Sequence, residues 1–405
     1  MEDLLIKKGS LIGGILLVAG CCVGAGMLGL PVLSAQAGFV PSALIFFLCW
    51  MFMLATGLLL LEVNLWFGGS ASMVTMAEKT VGRLGKAVSW IVFLFLFYSL
   101  MIAYITATGS LMSDFISQWF GAQYPHAYAS LAVSLFFGLL IYLGIGAVDW
   151  FNRLLMLGLI LSYGILIVMG VPHVKMDLLM RHDWSASTLV IPAVIVSFGF
   201  HNLIPSLTQY YKGSSSLLIK AITFGSLIPL CIYLIWEWII LGLVDINNFK
   251  IALDHGEIAT EALKGAVGVN WILEIAQSFA FFAITTSFLS VSLSFVDFLA
   301  DGLGIKKSVS GNCFLVLLAI LPPLIFSLIY PDVFLVALNY AGGYGAIILF
   351  GILPVLMVWK GRYHQKRMDQ LILPGGKAAL MFILACSLFI IGLQVFQTLK
   401  GIGND

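Results

Sequence analysis

Gly20-Cys21-Cys22-Val23-Gly24-Ala25-Gly26-Met27-Leu28-Gly29-Leu30-Pro31 lies within one long apolar run near the start of the chain. Glycine lowers the cost of leaving a helix, and proline removes an amide donor. At membrane depth, unwound backbone persists only where it is buried in protein or lines a cavity. The stretch therefore predicts a transmembrane helix broken near its middle. Glycines in membrane helices also serve plain close packing, so one such span leaves both readings open. A second interrupted span decides between them: Ser197-Phe198-Gly199-Phe200-His201-Asn202, with Pro192 and Pro205 on either side.

Composition supplies the lipid. Of 405 residues, 61% are hydrophobic and 10% charged, against about 25% charged in a soluble domain. A net charge of +1 gives no broad field for nucleic acid. The six cysteines (Cys21, Cys22, Cys49, Cys231, Cys313, Cys386) lie in apolar runs without CxxC spacing and read as small buried hydrophobes. Lys7 and Lys8 precede the first run as in a signal peptide, but its length predicts a retained helix.

Apolar runs predict eleven helices, at about 10–35, 40–66, 88–112, 128–147, 154–172, 189–211, 218–244, 270–300, 311–330, 333–359 and 377–399. The runs are too long and uniformly apolar for the strands of an outer-membrane barrel. The chain reads as an all-α polytopic membrane protein, one domain over 1–405. With the N-terminus inside, the inner segments hold fifteen of the 20 basic residues, and only Lys175, Arg181, Lys250, Lys264 and Lys400 fall outside. That asymmetry is what the positive-inside rule requires, so the N-terminus is expected in the cytoplasm and the C-terminus outside. The two broken helices each open a block of five spans, 10–172 and 189–359, with an extra helix at 377–399. Five is odd, so the second block enters with opposite polarity, which predicts an inverted repeat with its site where the breaks meet.

Several blocks resemble the aromatic amino acid permeases of bacteria, most of all their tyrosine-specific members. They are Val23 to Pro31, Leu58-Leu59-Leu60-Leu61-Glu62-Val63, Asp149-Trp150-Phe151-Asn152-Arg153, Ser197 to His201 with Ile204-Pro205-Ser206, Thr286-Ser287-Phe288-Leu289, Phe295-Val296-Asp297-Phe298-Leu299-Ala300-Asp301, and Leu321-Pro322-Pro323-Leu324. In order, they span essentially the whole chain. The resemblance implies eleven spans of the leucine-transporter-type fold in the bacterial inner membrane, with the C-terminus in the periplasm. It also implies symport of an aromatic amino acid, tyrosine first, with protons and without a cofactor.

A zwitterion asks for opposite partial charges side by side. Free amides near Val23, Gly24, Ala25, Gly26 and Met27 can receive its carboxylate at a half-helix N-terminus, and carbonyls near Ser197, Phe198 and Gly199 can receive its ammonium. Tyr98, Tyr104, Phe198, Phe200, Asn339 and Tyr340 are candidates for an aromatic wall with a polar partner. With 13% of the chain aromatic, each ring is equally a packing element or a lipid contact.

Ionisable groups inside spans are costly and point to function. His201 follows the second break and can titrate near neutral pH; its other reading is a neutral ring bonded to exposed backbone. Glu62 reads as a proton carrier or as a paired gate residue. Glu237 departs from the family, which more often has a neutral side chain there, and this speaks against a family-wide coupling role. The resemblance also implies a second possibility, sodium held by Thr285, Thr286 and Ser287 with carbonyls near Cys22, since hydroxyl and carbonyl oxygens suit a hard cation. In proton-coupled relatives Arg153 would stand in for that ion. Tryptophan- or phenylalanine-preferring transport of the same kind is the other alternative. A channel would show rings of charge or carbonyls. The six histidines (His126, His173, His182, His201, His255, His364) are scattered without HExxH, and no Walker GxxxxGK[ST] is present, so neither an enzyme nor an ATP-driven pump is expected.

Overall fold

Ser10 caps the first helix by accepting the Gly13 amide, and the helix runs Leu11–Cys22 before the backbone leaves it at 23–25. It resumes as Gly26–Ser34, bent by 55° from the first half. The computed structural model describes residues 10–402 apart from 70, 121–123, 264–269, 307 and 368–370. Lys7, Lys8, Lys264 and Lys307 of the charge tally lie outside the described residues.

The remaining spans are Phe39–Trp66, Arg83–Phe120, His126–Leu143, Ile145–Gly170, the interrupted pair Ile191–Ser197 and Ile204–Tyr210, Ser215–Leu243, Asn270–Leu303, Val309–Ile329, Phe334–Tyr363 and Gly376–Ile402. Spans are numbered in this order, the bent first pair being span one. Among the described residues every regular element is helical. Ten helices are long and apolar enough to cross a membrane, and the bent first pair makes up to eleven spans.

Burial sorts the spans into an inner set and a lipid-facing set. Span ten is 78% buried and span six 67%, against 28% for spans five and eleven. The outer ones show Leu154, Leu157, Leu161, Phe382 and Phe389 at the bundle surface, the pattern of a protein whose solvent is lipid. One face of the bundle carries Ser10, Gly82 and Gly213; the opposite face carries Gly38, the loop after span five and two short helices, Ile246–Asp254 and Ala259–Ala262.

The fold differs from the sequence reading in four places. The break between spans four and five falls at Gly144 and not at 147–154, because Gly144 takes a φ of +94° that ends the helix. Asp149 and Arg153 then sit inside span five, tolerated there by their i,i+4 ion pair of 2.8 Å. A helix at Met73–Val81 occupies what reads as a loop, its Ser72 cap accepting the Thr75 amide. Span ten is a π-helix over Ala341–Ile352. Pro354, just beyond it, has no amide to give the Phe350 carbonyl, and wide π turns tend to mark functional sites. The cysteines are not uniformly buried: Cys21, Cys231 and Cys313 are exposed.

Candidate functional site

The two breaks touch. A β-carbon at Gly26 would lie 2.5 Å from Ser197 Oγ, and one at Gly24 would collide with Ser287 Oγ on span eight. Only hydrogen at these two positions lets three spans approach so closely. Beside this crossing lies a cavity of ≈ 470 Å³. Both breaks line it through Cys21, Cys22, Val23, Gly24, Ala25, Gly26, Ser197 and Gly199. Span three adds Phe97 and Tyr104, span five Asn152, span eight Thr286, Ser287, Ser290 and Ser294, and span ten Leu338 and Phe350. Through Leu16, Leu17, Leu203 and Ser294 it extends toward the Ser10 face.

At the first break, the Val23 amide closes the first half on the Ala19 carbonyl at 3.0 Å. Ala25 donates its amide to Ser287 Oγ at 3.1 Å, and the second half winds up with Met27 on the Gly24 carbonyl and Leu28 on the Ala25 carbonyl. None of the described bonds occupies the amides of Gly24 and Gly26. They lie at the N-terminal, positive end of a nine-residue half-helix.

At the second break, Phe198 and Gly199 bond back to Val194 and Val196, and Phe200 closes a tight turn on the Phe198 carbonyl. Tyr233 of span seven joins the two breaks. Its hydroxyl lies 2.6 Å from the Cys22 carbonyl and 2.9 Å from the Ser197 carbonyl. One hydroxyl hydrogen thus serves two acceptors. One turn on, Trp236 Nε1 donates to the Met27 carbonyl at 3.1 Å, and Ser34 Oγ pairs with Glu237. Tyr233, Trp236 and Glu237 are fully buried and fall at i, i+3 and i+4, one face of a helix. Neither Tyr233 nor Trp236 is singled out by sequence reasoning, although that spacing on an otherwise apolar span is a readable signal.

The predicted site residues divide. Tyr104 lines the cavity together with the unforeseen rings Phe97 and Phe350. Tyr98 does not line it: its hydroxyl donates to the Leu318 carbonyl at 3.0 Å and its ring meets Phe295 edge-on. Phe198 packs on Tyr233, with ring centres 5.1 Å apart. Asn339 and Tyr340 are also off the cavity; Tyr340 packs on Tyr344, and Asn339 Oδ1 is buried without a partner. His201 is fully buried between the rings of Phe200 and Phe350, at 4.8 and 4.7 Å, and its Nε2 lies 3.0 Å from Thr56 Oγ1. Its Nδ1 has no partner.

Among the coupling candidates, Glu62 is held by the Arg362 guanidinium and by the Ile372 amide, 2.9 Å away. Arg153 points out of the bundle in its pair with Asp149, while its neighbour Asn152 lines the cavity with an unpartnered Oδ1. Thr286 gives its hydroxyl to the Ala283 carbonyl at 3.0 Å, and Thr285 Oγ1 is buried without a partner.

A second cavity, of ≈ 300 Å³, lies toward the Gly38 face between the far end of span three, the short loop helices and the start of span ten. Asp114, His126, His255, Glu257, Glu261 and Asp332 line it. The same two spans border both cavities, Tyr104 and Leu338 on one side, Thr106 and Phe334 on the other. Along span three the two linings stand two residues apart and along span ten four, a rise of about 3 to 6 Å.

Comparison with known proteins agrees with this geometry. The sequence profile of the tryptophan/tyrosine permease family matches residues 7–394. The chain is 32% identical to the tyrosine-specific transport system 1 of Haemophilus influenzae over 385 residues, covering 94% of this chain and 95% of that one. It is also 32% identical to the low affinity tryptophan permease of Escherichia coli (strain K12), covering 89% and 90%. The crystal structure of MhsT in complex with L-phenylalanine superposes with a TM-score of 0.64 at 14% identity, over 96% of this chain and 99% of that one. At that identity the likeness is one of fold, the leucine-transporter type.

Proposed function

Because the chain belongs to the tryptophan/tyrosine permease family, and is thus a transporter and not an enzyme, we propose that it imports an aromatic amino acid, tyrosine first, by proton symport. It works in a bacterial inner membrane, with its N-terminus in the cytoplasm and its C-terminus in the periplasm. The observation that carries this reading is the meeting of the two breaks on one cavity rimmed by Phe97, Tyr104 and Phe350.

Recognition divides between backbone and rings. The substrate carboxylate sits at the start of the second half of span one, where the Gly24 and Gly26 amides and the half-helix dipole favour negative charge. The ammonium turns to carbonyls of the breaks. The side chain lies among the three rings, each well-placed pair adding about 0.5–1.5 kcal/mol. Transport proceeds by alternating access: the large cavity opens toward the Ser10 face, the cytoplasmic side on this reading, and rocking of the helices would open the opposite cavity instead.

The test is uptake of labelled tyrosine into right-side-out vesicles, with and without sodium and with unlabelled tyrosine, tryptophan or phenylalanine as competitor. Accumulation should need no sodium and should collapse with a protonophore. Uptake that survives the protonophore and fails without sodium would replace protons by a cation held near Cys22 and Thr286, where Thr285 Oγ1 has no partner.

A further inference from the structure

We propose that Glu237, paired with Ser34, is the site that carries the coupled proton in this chain, and that it acts on the second half of span one. The proposal rests on the symport reading above and names the group that reading leaves open.

Glu237 is fully buried six residues before the end of span seven, toward the Gly38 face. Its Oε1 meets Ser34 Oγ, and its Oε2 has no partner. Among the described residues no basic side chain lies within ion-pair distance of it. The elements packed on span seven are both halves of span one, spans two, five, six and eight, the turn Val171–His173 and the helix Met176–Leu179. Their ionisable groups are engaged or placed elsewhere. On span six His201 lies between Phe200 and Phe350, and on span eight Glu274, Asp297 and Asp301 are exposed. Glu62 is bound to Arg362, Asp149 and Arg153 pair with each other at the surface, and Tyr163 donates to the Ile232 carbonyl. His173 contacts the Met169 carbonyl, and Asp177 is exposed. Cys21, Cys22 and Cys49 are free thiols. The second half of span one carries no ionisable side chain. A lone buried carboxylate is costly in such a setting, whereas the neutral acid is not.

Ser34 makes the state of that proton visible to the helix. Its hydroxyl also lies 3.3 Å from the Pro31 carbonyl. With the proton held, the Glu237 O–H donates to Ser34 Oγ, and the Ser34 hydroxyl is free to turn to Pro31. When that O–H bond breaks and the proton leaves to water, the carboxylate takes the Ser34 hydrogen instead, and the bond to Pro31 is lost. One residue beyond Ser34, the Arg181 guanidinium rests on the Ala35 carbonyl at 3.3 Å. It is the cation that a carboxylate at Glu237 would draw, pulling on the end of the half-helix whose start faces the substrate. Trp236 and Tyr233, on the same face of span seven, grip that half-helix and the break itself.

The experiment compares Glu237→Gln with wild type in proteoliposomes by two readouts: exchange of labelled for unlabelled tyrosine at equal pH, and accumulation driven by a pH gradient, alkaline inside. Exchange should stay within about twofold, and gradient-driven accumulation should fall by about tenfold or more, the scale of a lost coupling energy. Accumulation in Glu237→Gln with the wild-type pH dependence would overturn the proposal. Where that variant does not reach the membrane, Ser34→Ala serves: it should shift the pH midpoint of uptake, and an unchanged midpoint overturns the proposal. A wild type that exchanges tyrosine but does not respond to the pH gradient defeats the proton reading as a whole, and one that exchanges no aromatic amino acid defeats the assigned substrate.

Discussion

Arg362 grips Glu62 with two parallel hydrogen bonds, Nε to Oε1 at 2.7 Å and Nη2 to Oε2 at 2.6 Å, with both side chains buried. The same guanidinium donates to the Leu373 carbonyl, and the Ile372 amide donates to Glu62. One ion pair therefore ties the ends of spans two and ten to the segment leading into span eleven. Removing one partner leaves a buried charge, which costs about 3–5 kcal/mol. Arg362→Ala should lower the unfolding temperature in detergent markedly, and Arg362→Lys should lower it too, since an ammonium cannot make the bidentate pair. A double variant with both charges replaced by apolar residues should be more stable than either single one.

Gly26→Leu puts a side chain where Ser197 Oγ stands 2.5 Å from the place of a β-carbon. The expected outcome is loss of tyrosine uptake and binding, with the protein still monodisperse in detergent. Near-normal uptake would remove the first break from the binding site.

Tyr233→Phe deletes the hydroxyl shared by the Cys22 and Ser197 carbonyls. Leaving buried acceptors unpaired costs about 1–3 kcal/mol, here at the meeting of the two breaks. Transport should drop by about tenfold or more, with a smaller loss of thermal stability, checked by initial uptake rates beside a melting curve.

His201→Gln keeps a polar partner for Thr56 but removes the imidazole from between Phe200 and Phe350. Because that ring is off the cavity, the pH profile of uptake should keep its shape while the melting temperature falls. A flattened profile would return His201 to the coupling machinery.

How much of the structure is legible in the sequence depends on the range of the interactions. The breaks are readable because glycine and proline act locally, and Gly24 and Gly26 stand where the helix ends. The span count is readable because lipid imposes length and polarity on each run. The partner of Glu62 is not, since Arg362 lies 300 positions away. Tyr233 and Trp236 are hidden among rings that make up 13% of the chain, and only the crossing of spans one and seven sets them apart. The start of span five escapes a reading by composition because Asp149 and Arg153 neutralise each other along the helix. Tyr98 has the ring chemistry of a substrate contact, yet its direction is set by the Leu318 carbonyl on a neighbouring span.

The layer between the two cavities has a mechanical meaning. On the alternating-access reading, an aromatic amino acid is longer than one helical turn and would reach from one chamber toward the other as the helices rock. The seal around it would then be its own bulk together with the thin course of side chains around Ile105, fully buried in span three. Tightness against protons and speed of transport would be set by the same few atoms.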